Sequence, residues 1–462
     1  MLFCFYKHHK GKMQFTDLIF LLVFLPMALL LFHIGNDTTR QYVLLLANLV
    51  FYTLGSPDFF LNLCICTIVN TVIGVTIEGI RDRSAITRKI LLTVGVIFNL
   101  VILFECKYMD NSLLPLGISF YTFKAISFLV DVYKGEISGK SVISIANYLT
   151  FFGQIQSGPI SRYGEFSKER TERRELFCYG VERFVIGFSK KVLLANVLVK
   201  VTNEVFSYEN PSLPFAWLGS MCYSLQLYYD FSGYSDMAIG ISGMFGISCL
   251  ENFNYPYATA SISDFWRRWH ISLGQWFRDY VYIPLGGSRV KLPRVIFNLG
   301  VVWILTGIWH GNTFGFVFWG LAYFILVAFE KLTGWPQRFK HKWLKIAYRV
   351  YSLLMINFLW VIFYYGDLAE GVKYIRRMIV PSGYDISVNR AYFLFIDYKL
   401  FILAALIFAT PAVSYIKGLC ENNKSTEIAF NIVYGVIVSS LFVISLAMVV
   451  SGISNPFLYI GF

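Results

Sequence analysis

The stretch WILTGIWHGNTFGFVFWG, Trp303–Gly320, decides how the rest of this chain is read. It is apolar enough to lie in hydrocarbon, yet one histidine, His310, interrupts it between Gly307 and Gly311. An ionisable side chain at bilayer depth is costly unless it faces protein or a wet cavity, so by default it marks a functional site. The plainer alternative is a satisfied core histidine, and the residues alone leave the two in balance. Gly311 frees the backbone to break, and Asn312 or Thr313 would cap a new helix there. His310 would then stand beside a helix N-terminus, whose positive end favours a neutral, proton-accepting ring.

Outward from that stretch the chain keeps the same solvent. Of 462 residues, 56% are hydrophobic and 15% charged, whereas soluble domains carry about a quarter charged residues. Apolar runs long enough to cross a bilayer recur at Leu18–Ile34, Phe59–Ile77, Ile90–Phe104, Leu400–Val413 and Ile428–Val450, and roughly ten to twelve spans are expected in all. Four simple spans, from Met13 to about Phe104, look like scaffold. No hydrophilic stretch exceeds a loop, so the expectation is an all-α polytopic membrane protein with one domain over 13–462. The net charge of +12 does not point to nucleic acid. Its basic residues sit in short loops, as at Arg81–Lys89, Arg162–Arg174 and Arg338–Arg349, the pattern of cytoplasmic loops in a multi-pass protein of the cell (cytoplasmic) membrane. They would meet anionic lipid of the bilayer. The opening MLFCFYKHHKGK conflicts with that orientation, so Met13 is the expected start and 1–12 an extension. The eight cysteines lie mostly in apolar segments, where they act as small hydrophobes.

The polar residues concentrate between about 115 and 320. FWRRWHISLGQWFRDYVYIPLGG, Phe265–Gly287, separates on a 3.6-residue helix into an aromatic face of Trp266, Trp269, Leu273, Trp276, Phe277 and Tyr280, and an opposite polar side. That side carries Asp264, Arg267, Arg268, Gln275, Arg278 and Asp279, with Asp264 and Arg268 spaced for an i,i+4 pair. Such a helix reads as an interfacial anchor, or as a basic site for an anionic ligand, because Arg forks suit phosphate. His270, at the boundary of the faces, is either a ligand-facing base or an orienter. In YSLQLYYDFSGYSDMAIGISGMFG, Tyr223–Gly246, Asp230 and Asp236 do not share a helix face, and each is expected to pair with an Arg of 265–287. Gly233, Gly240 and Gly243 suggest close helix contacts. Lys190 and Lys191 would snorkel to an interface. Lys124, Asp131, Gln154, Gln156, Gly158 and Pro159 make part of 115–162 irregular backbone shielded by protein. No zinc spacing, phosphate loop or nucleophilic triad is present in the sequence. From these residues alone an enzyme and a polytopic transporter both remain open.

Several stretches together resemble a known family. They are PLGISFYTF (115–123), QSGPI (156–160), QLYYDFSGYSDMAIG (226–240), NFNYPY (252–257), the 265–287 stretch, GIWHG (307–311) and the terminal NPFLYIGF (455–462). In this order they resemble the membrane-bound O-acyltransferase superfamily, within it the branch of the alginate O-acetylation membrane protein. MQFTDLIFLLVFLP from Met13 looks like the family's usual start. The resemblance implies a bundle around a central tunnel, with re-entrant or interfacial helices, and a cytoplasmic acyl-thioester donor, acetyl-CoA. It implies catalysis by His310, with His270 as the second motif histidine. No metal and no bound cofactor are expected. The implied reaction is O-acetylation of an extracytoplasmic polysaccharide, alginate-like or another envelope glycan, through a separate periplasmic or surface-anchored acetyltransferase. Asp264, Arg267, Arg268 and Trp269 would line or support the cytoplasmic mouth. Asn312 would serve an oxyanion, and Asp230 and Asp236 would support the site. A D-alanyl transferase for teichoic acid stays open within the superfamily.

Overall fold

In hydrocarbon every backbone N–H and C=O must be satisfied within the chain, which makes helices the natural spanning form. The computed structural model describes residues 13–109, 114–138, 141–168, 173–381 and 386–452, and no strand occurs among them. The expected extension 1–12 and the closing NPFLYIGF lie outside the described residues. In chain order the principal helices are α1 (Leu25–Ile34), α2 (Asp37–Gly55), α3 (Phe60–Gly79), α4 (Ala85–Phe104), α5 (Ile118–Lys134), α6 (Val142–Thr150), α7 (Arg173–Ser189), α8 (Asn196–Phe206) and α9 (Leu213–Met244). They continue with α10 (Ile262–Arg268), α11 (Ile271–Phe277), α12 (Leu292–His310), α13 (Phe314–Thr333), α14 (Lys342–Tyr365), α15 (Leu368–Ile379), α16 (Ile386–Phe408), α17 (Ala412–Cys420) and α18 (Lys424–Val450).

Among the described residues seven helices are long and apolar enough to cross a membrane: α3, α4, α12, α13, α14, α16 and α18. This is fewer than the sequence suggested, and α9 shows why. At 32 residues it is about 48 Å long, but its Tyr, Ser, Gln and Asp lower its hydropathy. From Cys222 to Phe245 it is buried, so its solvent is protein and it has no need of a lipid-compatible surface.

The chain forms two compact units. Among the described residues the first draws on 13–184, 234–250 and 446–452. Within it α3 and α4 are joined by reciprocal amide bonds. Asn70 Nδ2 donates to Asn99 Oδ1 at 3.1 Å, and Asn99 Nδ2 to Asn70 Oδ1 at 2.7 Å, the polar glue of helices that lack a hydrophobic drive to associate. The backbone of 155–162 is irregular, as Gly158 and Pro159 require, and 151–161 is buried throughout. Side chains supply what a helix would have given it: Phe152 N donates to Asn48 Oδ1 at 2.9 Å, and Tyr148 Oη to Ser161 O at 2.9 Å. Gly117 lets the segment approach, since its φ is +70° and a Cβ there would lie 1.8 Å from Ile155 O.

The second unit is Val185–Gly233 with Glu251–Ser445. Here α12 and α13 run antiparallel in contact, with Gly320 against Trp303 O, where a Cβ would approach to 2.5 Å. Two sequence expectations are corrected. Lys191 does not snorkel; it is fully buried and forms an ion pair with the buried Asp230. In the first unit, Asp236 pairs with Arg183, Nη2 to Oδ1 at 2.8 Å. The carboxylates of α9 thus take their ion-pair partners from the segment 183–191 rather than from 265–287. A buried charge needs its counter-ion in direct contact, and close packing supplies it: a Cβ on Gly233 would lie 2.8 Å from Gly187 O.

Replacing Lys191 by Met takes the paired cation away from the buried Asp230, which should cost about 3–5 kcal/mol. In detergent the melting temperature of Lys191→Met should fall sharply, and adding Asp230→Leu should recover most of the loss. An unchanged melting temperature in the single variant would contradict a structural pair.

Candidate active site

Helix α12 ends at His310 because Gly311 turns to extended backbone, where a Cβ would strike the Phe316 ring at 2.3 Å. The next helix begins only at Phe314. Thr313 occupies its N-cap position, but its hydroxyl donates to Gly366 O and accepts no bond from the amides of its own helix. Asn312 is exposed. His310 is therefore the last residue of a helix, at the end where carbonyls and not amides lack partners, and the helix-dipole argument made from the sequence does not hold.

What surrounds His310 is aromatic. Its ring lies 4.6 Å from Trp309, 5.1 Å from Trp319 and 5.0 Å from Phe363, the last two edge to face, and the residue is 5% exposed. Trp319 is held in turn by Tyr323 at 5.0 Å, Trp266 at 5.7 Å and Trp360 at 6.0 Å. Contacts at these separations are the preferred aromatic arrangements. Four elements, α10 and α12 to α14, meet in this enclosure.

The segment 265–287 is not one helix. It breaks at Trp269 and His270 into α10 and α11, followed by a π-turn over Arg278–Tyr282. His270 has φ +47°, a left-handed conformation rare outside glycine. Asn252 compensates for the break. Its carbonyl O accepts from Ile271 N at 3.0 Å, while its Oδ1 accepts from Ser272 N at 3.2 Å and from Ser272 Oγ at 2.9 Å. The same Oδ1 lies 3.1 Å from His270 Nδ1. An oxygen that already accepts two bonds requires a donor from the imidazole, so Nδ1 carries the proton and Nε2 is the basic nitrogen. Burial holds the His270 pKa down to about 3, so the ring is neutral at physiological pH. It packs against Phe231 at 4.7 Å and Trp309 at 6.4 Å, so both motif histidines contact Trp309.

The predicted aromatic face is largely buried, with Trp269, Leu273, Trp276 and Phe277 in the core. Trp269 stacks on Phe265 at 5.5 Å and meets Trp360 at 5.0 Å. On the polar side Asp264 holds both arginines: Arg268 Nε at 3.1 Å, as the spacing indicated, and Arg267 Nη2 at 3.5 Å. Two cations on one carboxylate leave a net positive charge, with the Arg267 side chain 68% exposed. The structure thus brings Asp264, Arg267 and Arg268 together, and His310 with His270 through Trp309. Asp230 and Asp236 are held in their own ion pairs.

Sequence reasoning passed over Asn252, Trp319, Tyr323, Trp360, Phe363 and Glu330. For Glu330 a signal existed: it is a carboxylate within an apolar run. It accepts from Ile262 N and Ser263 N at 2.8 Å each, and from Tyr348 Oη at 3.0 Å. The aromatic residues carried no signal, because such residues at helical spacing usually fill a core.

Comparison with known proteins gives the class. The family model described as MBOAT, membrane-bound O-acyltransferase family, matches residues 44–370. The chain is 36% identical to a protein described as probable alginate O-acetylase AlgI of Pseudomonas aeruginosa, over 86% of this chain and 81% of the relative. It is 33% identical to the protein of that description from Pseudomonas putida, over 97% and 100%. It is also 30% identical to a peptidoglycan O-acetyltransferase of Helicobacter pylori, over 89% and 90%. The protein is therefore a multi-pass membrane acyltransferase. It belongs to the membrane-bound O-acyltransferase family.

The His270 environment has a measurable pH consequence. An unfolded chain takes up a proton near pH 6.5 that the folded ring excludes down to about pH 3. Stability should therefore fall as pH drops from about 6.5 towards 3, because only the unfolded state gains the proton. His270→Gln removes that contribution. Its melting temperature in detergent should decline less between about pH 7 and pH 5 than that of the wild type, and equal declines would count against a buried neutral ring.

Proposed function

We propose that this enzyme moves an acetyl group from acetyl-CoA on the cytoplasmic side to a hydroxyl on the other side, for O-acetylation of an envelope polysaccharide. The carrying observation is that α10 joins the two features: it turns the exposed Arg267, beside Arg268, outward, and its Trp266 packs on Trp319, the residue that borders His310. His310 meets α13 at Trp319, and α10 is pinned to it at Glu330. The loop after Glu330, with Arg338, Lys340 and Lys342, and the start of α12, with Arg289, Lys291 and Arg294, are both basic. By the positive-inside tendency this end is cytoplasmic. The arginines then face the anionic head of the donor, and His310 lies towards the acceptor.

In this reading His310 accepts the proton of the acceptor hydroxyl as its oxygen attacks the thioester carbonyl. The carbon–sulfur bond of the tetrahedral intermediate then breaks, and the departing CoA thiolate takes the proton from the imidazolium. The net products are the O-acetyl ester and CoA thiol. The aromatic enclosure excludes water, which would otherwise hydrolyse the thioester. His270, neutral and fixed by Asn252, orients the wall behind Trp309. Relatives described as acetylating alginate and peptidoglycan support acetyl as the group and a glycan as its destination. A separate extracytoplasmic transferase would complete delivery to the polymer.

His310→Ala should fold, since the change removes one ring from a wall of many, and should lower acetyl transfer in membranes carrying the acceptor system by at least about a hundredfold. Full activity in this variant would sink the assignment. Transfer of an aminoacyl group in place of acetyl would favour the D-alanyl alternative, and a failure to release CoA thiol at all would favour a transporter.

A further inference from the structure

Glu330 is a buried carboxylate that the reaction above does not use. It sits near the end of α13, 5% exposed. Its two oxygens accept from the first two amides of another helix, Ile262 N to Oε1 and Ser263 N to Oε2, each at 2.8 Å. Tyr348 Oη of α14 donates to Oε1 at 3.0 Å. The third amide of α10 is satisfied locally, Asp264 N donating to Ser261 Oγ at 3.2 Å. A helix normally finds its N-terminal acceptors on its own capping residues; α10 takes two of its three from a different helix. That arrangement fixes where α10 sits and how it is rotated. It turns Trp266 inward, against Trp303 at 4.9 Å, Tyr323 at 4.9 Å and Trp319 at 5.7 Å. It turns Arg267, one position on, outward to solvent.

The geometry points to Glu330 as a positioning residue for donor binding: its carboxylate seats α10 so that the exposed guanidinium of Arg267, with Arg268 beside it, faces the phosphates of the acyl donor. The inference rests on the reading of the Arg267–Arg268 end as the donor site. Glu330 itself never meets the donor. A carboxylate bonded by two amides and a phenol at 2.8–3.0 Å holds α10 to a single rotation, and arginine's planar fork rewards that because its bonds to phosphate are directional. Glutamine at this position keeps one accepting oxygen, turns an NH2 group towards an amide that needs an acceptor, and so loosens the seat without emptying it.

The test compares two ligands that share the thiol arm and differ in the phosphates and nucleotide. CoA and pantetheine are titrated against the purified full chain in detergent, and the ratio of their Kd values is read. The wild type should bind CoA at least about tenfold more tightly than pantetheine. Glu330→Gln should weaken CoA about tenfold and pantetheine less than about twofold, while Glu330→Asp, which keeps both acceptor oxygens, restores part of the difference. If Glu330→Gln does not fold, Tyr348→Phe frees the carboxylate from its third partner and is read the same way. Equal weakening of both ligands would reduce Glu330 to a support of the fold, and an unchanged ratio would overturn its positioning role. A wild type that binds both ligands equally would instead remove the donor reading of the arginines.

Discussion

A polar group withdrawn from water must find its partner inside the protein, and the cost of failing to do so is several kcal/mol. The internal arrangement of this enzyme is a set of answers to that demand. Glu330 meets the open amides of α10, Asn252 takes the bonds that a break at His270 would leave unmade, and Lys191 and Asp230 meet inside the second unit. Each of these links joins elements far apart in sequence. The consequence is that α10, α11 and the end of α12 are held at fixed rotations, which apolar packing alone, being non-directional, would not impose.

Fixed rotation is what acyl transfer inside a bundle requires. The imidazole of His310 is enclosed by Trp309, Trp319 and Phe363, and Trp319 is set by Tyr323 and Trp266. Trp266 belongs to α10, the helix that also carries the arginine pair. One short helix therefore contributes to the wall around the proposed base and to the cationic end proposed for the donor. Because α10 is seated by a carboxylate of α13, the helix that also carries Trp319, the same contact sets the wall and the cationic surface.

Much of the class was legible without coordinates. Composition excluded a soluble protein, the apolar runs gave a helical membrane chain, and the motif stretches gave the family. The Asp264–Arg268 pair followed from i,i+4 spacing, and close contacts at Gly233 and Gly240 from the glycines of α9. Two local readings went wrong for one reason. The 265–287 stretch was read as one continuous helix and the α9 carboxylates were assigned to its arginines, because periodicity describes neighbours along a helix and is silent on neighbours across space. His270 adopts its left-handed backbone because Asn252, some eighteen positions earlier, offers better bonds than helix continuation, and no pattern within 265–287 records that offer.

The sequence by itself determined that the chain lives in a membrane, that it is helical, which family it belongs to and which histidines stand in its motifs. Hydropathy and short-range spacing are properties of the residues themselves, so they survive without a fold. Only the tertiary structure decided that an aromatic wall encloses His310, that His270 is protonated on Nδ1, and that Glu330 seats the arginine helix. Those facts depend on which polar group reaches a buried partner first, and burial is defined by the packed chain alone.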